Sequence, residues 1–436
     1  MQTNNKGFTL VELIVVMAVF ITVLAITASA FNTIIAQATK IFRSEESNIE
    51  GVIGLEMLRH DLAQTGLGLF TEFAPVEYKG EAKNTPASTY NDFNTSSTNA
   101  KKEPPRPIVT GNDLVAGQTN ADDTGGTTKF VTGADYLVIK ASSVGRNQTA
   151  QKWTYLEYAP PNVIPHVWAS ASENFVTNES VVLLRRQISS TVQTSTLIQD
   201  GSGVESFYYA FSNIAFNSLA AGGNAVYTAY GIASRSDNKI RMPFNRADYF
   251  VSVPINTSGN PDASRIPNVC AKDAAGAPHP DVGILYKATI DQDGSSSGGK
   301  LEYSPLIDCV ADMQVVLGWD MDGNGAVDTY SNADGTQCNP CGATVAEIQA
   351  ALSTANNSTA STVPCIRNNL KLIKVYVLAQ DGRRDPGYTS PSPIVVGDTG
   401  ETSLTRSYDL ATKGLLNYRW KVHRVVMRPK NLPANQ

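Results

Sequence analysis

The hydrophobic and polar positions divide the chain into an apolar N-terminal stretch and a longer mixed region. Residues 8–31 read FTLVELIVVMAVFITVLAITASAF, 24 residues in which Glu12 is the single charge. At a rise of about 1.5 Å per residue, a helix of this length crosses a bilayer core of about 30 Å. The pattern therefore predicts a membrane-spanning helix close to the N-terminus.

Helical periodicity continues beyond the apolar stretch. Apolar side chains recur at helical spacing with charged residues on the other side, at Ile34, Ile35, Ala38, Ile41, Phe42, Ile49, Val52 and Ile53. The first proline is Pro75, and we interpret Gly51 and Gly54 as bends. One helix is therefore expected from residue 8 to about residue 65, and residues 32–65 form its amphipathic half, able to pack one face on a globular head.

Residues 66–130 have a different composition, rich in Asn, Thr, Ser, Gly, Asp and Pro, with KKEPPRP at 101–107. Such a segment buries too little apolar area to offset the entropy lost on ordering. We therefore expect a loop-rich, low-complexity segment. A recognition loop on the exposed head is the functional alternative.

Residues 131–436 are predicted to form a β-rich globular head. Short runs rich in β-branched and aromatic residues alternate with Gly, Ser and Asn turns, at 136–140, 153–158, 181–188, 204–211, 249–255, 284–290, 313–319, 370–378 and 418–427. A short helix is expected at 345–352. Because no long amphipathic helix alternates with the strands, the pattern favours an antiparallel sheet and an α+β fold.

Five cysteines lie in the second half of the chain: Cys270, Cys309, Cys338, Cys341 and Cys365. In an exported head the oxidising surroundings favour disulfides, and an odd number leaves one thiol free or paired between chains. CNPC at 338–341 has the spacing of a redox motif, and zinc binding with Cys365 is a further alternative. Without a βαβ pattern around the motif, we predict structural disulfides and leave their pairing open.

One loop carries the chemistry of a cation site. DMDGNGAVD at 320–328 matches the first nine positions of a calcium loop, with oxygen ligands expected from Asp320, Asp322, Asn324, Asp328 and the carbonyl of Ala326. Ser331 stands where an EF-hand has a bidentate Glu, and the loop follows a predicted strand instead of a helix. We therefore expect a Ca²⁺ loop that is not an EF-hand, against the alternative of an ordinary Asp/Asn/Gly turn.

Glu12 needs an explanation, because a carboxylate inside an apolar helix costs about 2.5–3.5 kcal/mol on insertion scales. Its place near the helix start reduces this cost through the helix dipole. A new α-amino group made by cleavage after Gly7 would supply a counter-charge. A glutamate that snorkels to the membrane interface is the alternative.

The segment GFTLVE at 7–12, followed by the apolar helix, resembles the class III signal of type IV pilins and pseudopilins. The resemblance implies that residues 1–7 are a prepilin leader and that a prepilin peptidase cleaves after Gly7. It also implies methylation of Phe8 and pairing of Glu12 with the N-terminus of a neighbouring subunit during assembly. The fold implied is a long helix packed on a β-rich pilin-like head, here enlarged by insertions.

Further segments resemble PilW-type minor pilins: LEMLRHDL at 55–62, LIDCVADMQV at 306–315, GWD at 318–320, YRWKV at 418–422 and RVVMR at 424–428. This resemblance covers the first 70 and about the last 135 residues. It implies other minor pilins and the major pilin as partners through the N-terminal helix, with a tip adhesin as a further candidate. The protein would start in the inner membrane and then reach the pilus or cell surface, its head in the periplasm or outside the cell.

Composition and motifs exclude other classes. The net charge is −5, and without a long Lys/Arg run nucleic acid is a poor candidate for the main partner. Serine-hydrolase, metalloprotease and phosphate-loop signatures are missing from the sequence, and its four histidines, His60, His166, His279 and His423, are scattered. We therefore do not expect an enzyme.

The sequence favours a minor pilin that promotes pilus assembly or initiation, with a place in the tip complex. Two alternatives remain. A type II secretion pseudopilin shares the same N-terminal signal, and a pilus-borne surface-adhesion module would use the anchor for export.

Overall fold

The computed structural model describes residues 9–72, 78–92, 104–115, 118–120, 127–159, 162–188, 193–198, 207–211, 225–234, 240–293, 298–354 and 364–432. Within these ranges it leaves out the side chains of residues 32–50, 120, 158–159, 162–163, 188, 193 and 225. The chain divides into two compact units, residues 1–50 and residues 51–436. Among the described residues, the first unit consists of the first part of the N-terminal helix. The second unit contains the end of that helix and the β-rich head.

The described helices are α1 (Leu10–Gln64), α2 (Val345–Ser353) and α3 (Ile366–Asn369). The strands of the first half are β1 (Ile108–Gly111), β2 (Thr119–Asn120), β3 (Thr128–Phe130), β4 (Tyr136–Ala141), β5 (Trp153–Ala159), β6 (Asn162–Pro165), β7 (Ser180–Ile188), β8 (Gln193–Leu197) and β9 (Tyr209–Ala210). Those of the second half are β10 (Ala225–Ala233), β11 (Asn245–Pro254), β12 (Gly283–Ile290), β13 (Leu301–Trp319), β14 (Thr329–Ser331), β15 (Leu370–Asp381), β16 (Ile394–Val395), β17 (Ser407–Tyr408) and β18 (Arg419–Met427).

The strands form a large and a small antiparallel sheet. The large sheet has the order β1-β4-β11-β12-β13-β15-β18, with β14 on β13 and the β2–β3 pair on β11. The small sheet has the order β6-β5-β10-β7-β8, with β9 on β7, and β16 pairs with β17 separately. The predicted α+β class with an antiparallel sheet is confirmed.

The central strands of the large sheet are buried on both faces. Every residue of β4, β11 and β12 is buried, so alternate side chains enter two different cores. One core takes Leu137 and Ile139 together with Leu58 and Leu62 from the end of α1. The other takes Tyr136 together with side chains of the small sheet. The head is therefore a layered structure with the large sheet in its middle.

Within the head, the end of α1 packs closely on β13. A Cβ added at Gly54 would lie 2.4 Å from the backbone oxygen of Leu306, so only glycine allows this approach. The helix ends before Gly66, whose φ of 86° is left-handed, and the Gly66 N–H donates to Lys140 O at 3.0 Å. Gly54 thus serves close packing, where the sequence suggested a bend.

Asp61 ties the same helix end to the sheet. Its carboxylate accepts a hydrogen bond from Tyr249 Oη at 2.6 Å and lies 2.5 Å from Lys287 Nζ. Tyr249 and Lys287 are cross-strand partners on β11 and β12. One acidic side chain of the helix therefore fixes its position over two neighbouring strands.

Two buried cations lie side by side on the opposite face of the large sheet. Lys140 of β4 and Arg246 of β11 are cross-strand partners, and both side chains are fully buried. Like charges in this position repel. Glu81 bridges them, with one oxygen 2.7 Å from Lys140 Nζ and the other 2.9 Å from Arg246 Nη1.

Further carboxylates complete this network. Asp248 accepts two hydrogen bonds from Arg246, both at 2.7 Å, and Asp92 lies 2.5 Å from both Lys140 and Arg106. Burial opposes ionisation of Asp92, but the two neighbouring cations outweigh it and lower its pKa to about 2. Three cations are thus matched by three carboxylates, of which only Arg106 and Asp92 keep some contact with solvent.

This network orders part of the segment for which the composition predicted a long loop. Residues 78–92 supply Glu81 and Asp92, and their backbone also accepts from Arg246 at Ala87 O (2.9 Å). Residues 108–111 form β1, which pairs with β4. Charged side chains and short strands hold these stretches although they are poor in apolar residues.

Most predicted strands are present, with longer bounds. The run at 313–319 is the end of the 19-residue β13, and the run at 370–378 continues to Asp381 in β15. The helix predicted at 345–352 is α2, opened by a capping box between Thr344 and Glu347. The sequence did not predict β10, whose AVYTAYGIA mixes small residues with two tyrosines.

We predict that removing the Lys140 charge destabilises the head much more than removing a surface charge. Lys140→Met leaves Glu81 and Asp92 buried with less compensation, so the free energy of unfolding should fall by about 3 kcal/mol. Arg59→Ala is the control, because Arg59 is 47% exposed and its pair with Glu56 at 3.6 Å contributes less than about 1 kcal/mol. Urea denaturation of the detergent-solubilised chain measures both, and equal losses would contradict the structural role of the network.

Asp312 of β13 is also buried, and few groups around it compensate for the burial of its carboxyl. Its Oδ1 accepts from Gln314 Nε2 at 3.1 Å, and its Oδ2 has no hydrogen-bond partner among the described residues. Burial raises its pKa to about 7, although Arg406 acts in the opposite direction. At a pH below this raised pKa, the carboxyl of the folded protein is protonated. At a pH above it, the carboxyl is ionised although it is buried in the head.

Asp312 should contribute to the pH dependence of stability. Since its pKa is higher folded than unfolded, its contribution to stability falls as the pH rises from about 4 to about 7. Asp312→Asn removes this titration. The difference in the free energy of unfolding, variant minus wild type, should therefore be larger at pH 8 than at pH 5. Urea denaturation at both pH values measures the difference, and a constant gap between the two proteins would refute it.

Candidate functional site: the N-terminal segment and the oxygen-rich loop

Glu12 lies at the first turn of α1, where Thr9 caps the helix. Glu12 Oε2 accepts from both Thr9 N and Thr9 Oγ1 at 2.9 Å, and the Glu12 N–H donates to Thr9 Oγ1 at 3.4 Å. This is a capping box, which satisfies backbone N–H groups at the helix start. The T-x-x-E spacing is visible in the sequence, but we had assigned no role to Thr9.

The capping box gives Glu12 a definite geometry. Both contacts to Thr9 use Oε2, and the carboxylate stands at the positive end of the helix dipole. This arrangement lowers the free-energy cost of a charge at the edge of an apolar helix. Gly7 and Phe8, the expected processing residues, lie outside the described residues.

The apolar stretch can cross a membrane by length and composition. Leu10–Phe31 is a 22-residue segment whose most apolar 18-residue window has a mean hydropathy of 2.7 and is unburied. Its large side chains, such as Leu13, Val19 and Leu24, are more than half exposed. Exposed apolar area of this extent is unfavourable in water, so the segment indicates membrane anchoring.

The oxygen-rich loop connects β13 to β14, as expected after a strand. Single ligand oxygens of Asp320, Asp322 and Asp328 all lie within 4.8 Å of one another. Two oxygens bound to one Ca²⁺ are at most about 5.2 Å apart, since each bond is about 2.3–2.6 Å. Among the described residues these carboxylates are the one group of three or more metal-binding side chains so placed.

Backbone N–H groups hold the loop in shape. Asp320 accepts from Gly323 N and Gly325 N, both at 2.8 Å, and Asp328 Oδ2 accepts from Met321 N at 2.7 Å. Gly323 and Gly325 have φ values of 76° and 90°, which favour glycine. The chain therefore turns tightly enough to bring alternate side chains to one centre.

The two remaining predicted ligands are also in the loop. Asn324 Oδ1 accepts from Ala326 N at 2.7 Å, and Asn324 Nδ2 donates to Asp322 Oδ2 at 2.8 Å. Carboxylate, amide and carbonyl oxygens are the ligands that Ca²⁺ takes in proteins, so the donor chemistry fits this ion. Ser331 is not available as a ligand, because it is buried and its Oγ accepts from Trp319 Nε1 at 2.9 Å.

A lysine that the sequence did not reveal stands beside the loop. Lys371 Nζ of β15 lies 3.4 Å from Asp320 Oδ2. Burial acts to raise the pKa of Asp320, but the hydrogen bond from Gly325 N–H and the contact with Lys371 outweigh it and hold the pKa below its usual range. Lys371 balances part of the loop's negative charge, and its own positive charge would weaken the binding of a divalent cation by repulsion.

The cysteines form two disulfides. Cys270 pairs with Cys309, and Cys338 pairs with Cys341 across the short CNPC segment. Cys365 belongs to neither bond and is buried before α3. The predicted structural disulfides are confirmed, and with Cys338 and Cys341 bonded to each other they do not form a thiolate zinc site with Cys365.

The comparisons with known proteins concern the N-terminus. Residues 2–28 match the family model described as the prokaryotic N-terminal methylation motif. No curated protein and no solved structure matches this chain. The motif covers the predicted cleavage and methylation positions, Gly7 and Phe8, and reaches into the apolar helix. Together with that helix, it supports a type IV pilin-like protein, a description that includes the pseudopilins.

Proposed function

We propose that the protein is a minor pilin of a type IV pilus, a structural and non-catalytic subunit that promotes pilus assembly and takes a place in the tip complex. The observation that carries the proposal is the methylation motif at residues 2–28, which overlaps an apolar segment, Leu10–Phe31, long enough to span a membrane. Its partners would be a prepilin peptidase, then other minor pilins and the major pilin through the N-terminal helix. A tip adhesin is a further candidate.

The chemistry of assembly would centre on Glu12. Cleavage after Gly7 would create an α-amino group on Phe8, and a neighbouring subunit would bring this ammonium to the Glu12 carboxylate. An ion pair inside apolar surroundings is favourable only when the two charges meet in good geometry. Glu12 would therefore set the axial alignment of neighbouring apolar helices, and its hydrogen bonds with Thr9 would orient its carboxylate.

The size of the head supports a minor subunit. The second unit comprises residues 51–436 and, among the described residues, contains a ten-stranded sheet, a six-stranded sheet and the separate β16–β17 pair. A fibre shaft repeats one subunit at close spacing, whereas a subunit at the tip has open space for a large head. The head therefore favours low copy number and a terminal position.

We predict that Glu12→Ala leaves cleavage and methylation intact but reduces incorporation into fibres by about tenfold or more, because an unpaired ammonium would remain in the apolar layer. Mass spectrometry of sheared fibres and of membranes, searching for a peptide that begins at methylated Phe8, measures both steps. Glu56→Ala is the matched control, since Glu56 is an exposed carboxylate later in the same helix.

The wild-type result tests the identity itself. Methylated Phe8 in sheared fibres would support the minor pilin, and methylated Phe8 confined to the membrane fraction would favour a secretion pseudopilin. An uncut Met1 in both fractions would refute both functions. Normal incorporation of Glu12→Ala would refute the assembly role of Glu12 alone.

The oxygen-rich loop is proposed to bind Ca²⁺ and to stiffen the end of the large sheet. Asp320, Asp322 and Asp328 would provide the negatively charged ligands. Asn324 and the Ala326 carbonyl would provide neutral oxygen ligands. The bound ion would replace repulsion among three carboxylates by attraction, which joins β13 to β14 more firmly. Lys371 would moderate the affinity through its charge.

Saturating Ca²⁺ should raise the melting temperature of the detergent-solubilised chain by about 5 °C, and EGTA should reverse the increase. Asp320→Asn combined with Asp322→Asn keeps one acceptor oxygen on each side chain and removes two charges, so this variant should not respond to Ca²⁺. Asp273→Asn is the control, because Asp273 accepts similar turn hydrogen bonds from Ala275 N and Ala277 N at 2.9 Å outside the loop. An unchanged wild type, or an equal response of the double variant, would exclude the site.

A further inference from the structure

The edge of the small sheet carries a cluster of aromatic side chains, one exposed and three partly exposed, that the pilin function does not use. Trp153 and Tyr155 lie on β5, and His166 and Trp168 follow β6. The alternate residues Thr154 and Leu156 are buried on the other face of β5. We call the four rings of Trp153, Tyr155, His166 and Trp168 the aromatic platform.

The rings of the platform pack directly on one another. Tyr155 and His166 are stacked with centroids 4.5 Å apart, and Trp168 meets them edge-on at 5.9 and 4.9 Å. Trp153 is 5.1 Å from Trp168 and is 47% exposed. The Trp168 Nε1–H donates to the backbone oxygen of Trp153 at 2.9 Å, which holds the tryptophans together. The platform is therefore rigid before any ligand arrives.

Polar groups stand at the rim of the platform. Glu157 follows on the same face of β5, and its Oε1 lies 2.7 Å from His166 Nδ1. The Glu157 side chain is 46% exposed and the His166 side chain 31%, so both remain accessible to a ligand. Apolar ring faces bordered by a carboxylate, an imidazole and a phenol are the composition of a small-molecule site, where aromatic contacts give affinity and polar groups give orientation.

The geometry selects among possible ligands. Because the rings touch each other, they leave no cage for an alkylammonium ion, which needs rings arranged around an open centre. The exposed carboxylate of Glu157 disfavours phosphate-bearing ligands and anionic membrane surfaces. The platform also has far fewer side chains than the roughly 20–30 residues that each partner contributes to a stable protein interface.

We propose that the aromatic platform binds the pyranose rings of a neutral polysaccharide. A pyranose presents C–H groups on its faces and hydroxyl groups around its edge. The C–H face of one pyranose would stack on the exposed Trp153 ring, while hydroxyls of the polysaccharide would bond to Glu157 and His166. The site lies in the head and does not depend on Glu12, so it adds a recognition function to the assembly role.

Affinity electrophoresis of the detergent-solubilised chain tests the proposal, with hydroxyethyl cellulose and soluble chitin oligosaccharides as neutral probes and heparin as the anionic one. The wild type should be retarded by a neutral probe and not by heparin. Trp153→Ala should weaken the apparent affinity by about tenfold, and Trp153→Phe should restore part of it because it keeps a ring. Glu157→Gln should weaken binding less, since the amide still bonds to hydroxyls.

Val345→Ala is the control, because Val345 is a 37% exposed apolar residue on α2, outside the platform. A melting curve for each variant separates loss of binding from loss of fold, and Trp153 is suited to the test because its side chain is half exposed. Absence of retardation by both neutral probes would overturn the proposal. So would retardation that survives Trp153→Ala, or binding to heparin or to phosphatidylcholine vesicles in place of the neutral probes. None of these outcomes affects the fibre experiment on Glu12.

Discussion

The head depends on the burial of two neighbouring cations. Lys140 and Arg246 face each other across β4 and β11, out of contact with water. Such a pair is unfavourable unless carboxylates accompany it into the interior. Glu81 bridges the two charges and comes from a segment with little apolar surface of its own. Charge pairing therefore orders a part of the chain that hydrophobic burial alone would not hold.

The layered head follows from the burial of the large sheet on both faces. A sheet whose central strands are buried on both sides needs cover on both sides, and α1 and the small sheet supply it. On the helix side, Gly54 allows close contact and Asp61 fixes the position over β11 and β12. On the other side, the ionic network lies beside the aromatic core. The edge of the small sheet formed by β6 and β5 carries the aromatic platform, in which Trp153 is exposed.

The two units serve two solvents. The apolar segment Leu10–Phe31 has exposed side chains suited to lipid and one capped carboxylate at its start. The head buries its apolar residues, closes two disulfides and exposes the oxygen-rich loop. The anchor thus needs little beyond length, apolar composition and Glu12, whereas the proposed recognition site depends on side chains brought together by the fold of the head.

Local patterns were enough to predict the long helix, the antiparallel β class, nine of the 18 described strands and the oxygen-rich loop, because each is set by neighbours a few residues apart. The methylation motif is likewise contiguous, so residues 7–12 were recognisable at once. Contacts between distant residues could not be read in this way. The disulfide pairing, Lys371 beside Asp320 and the aromatic platform arise when the chain folds back on itself. Residues 78–92 were predicted as a loop from composition, but their order comes from the charges of Lys140 and Arg246, which only the tertiary structure brings within reach.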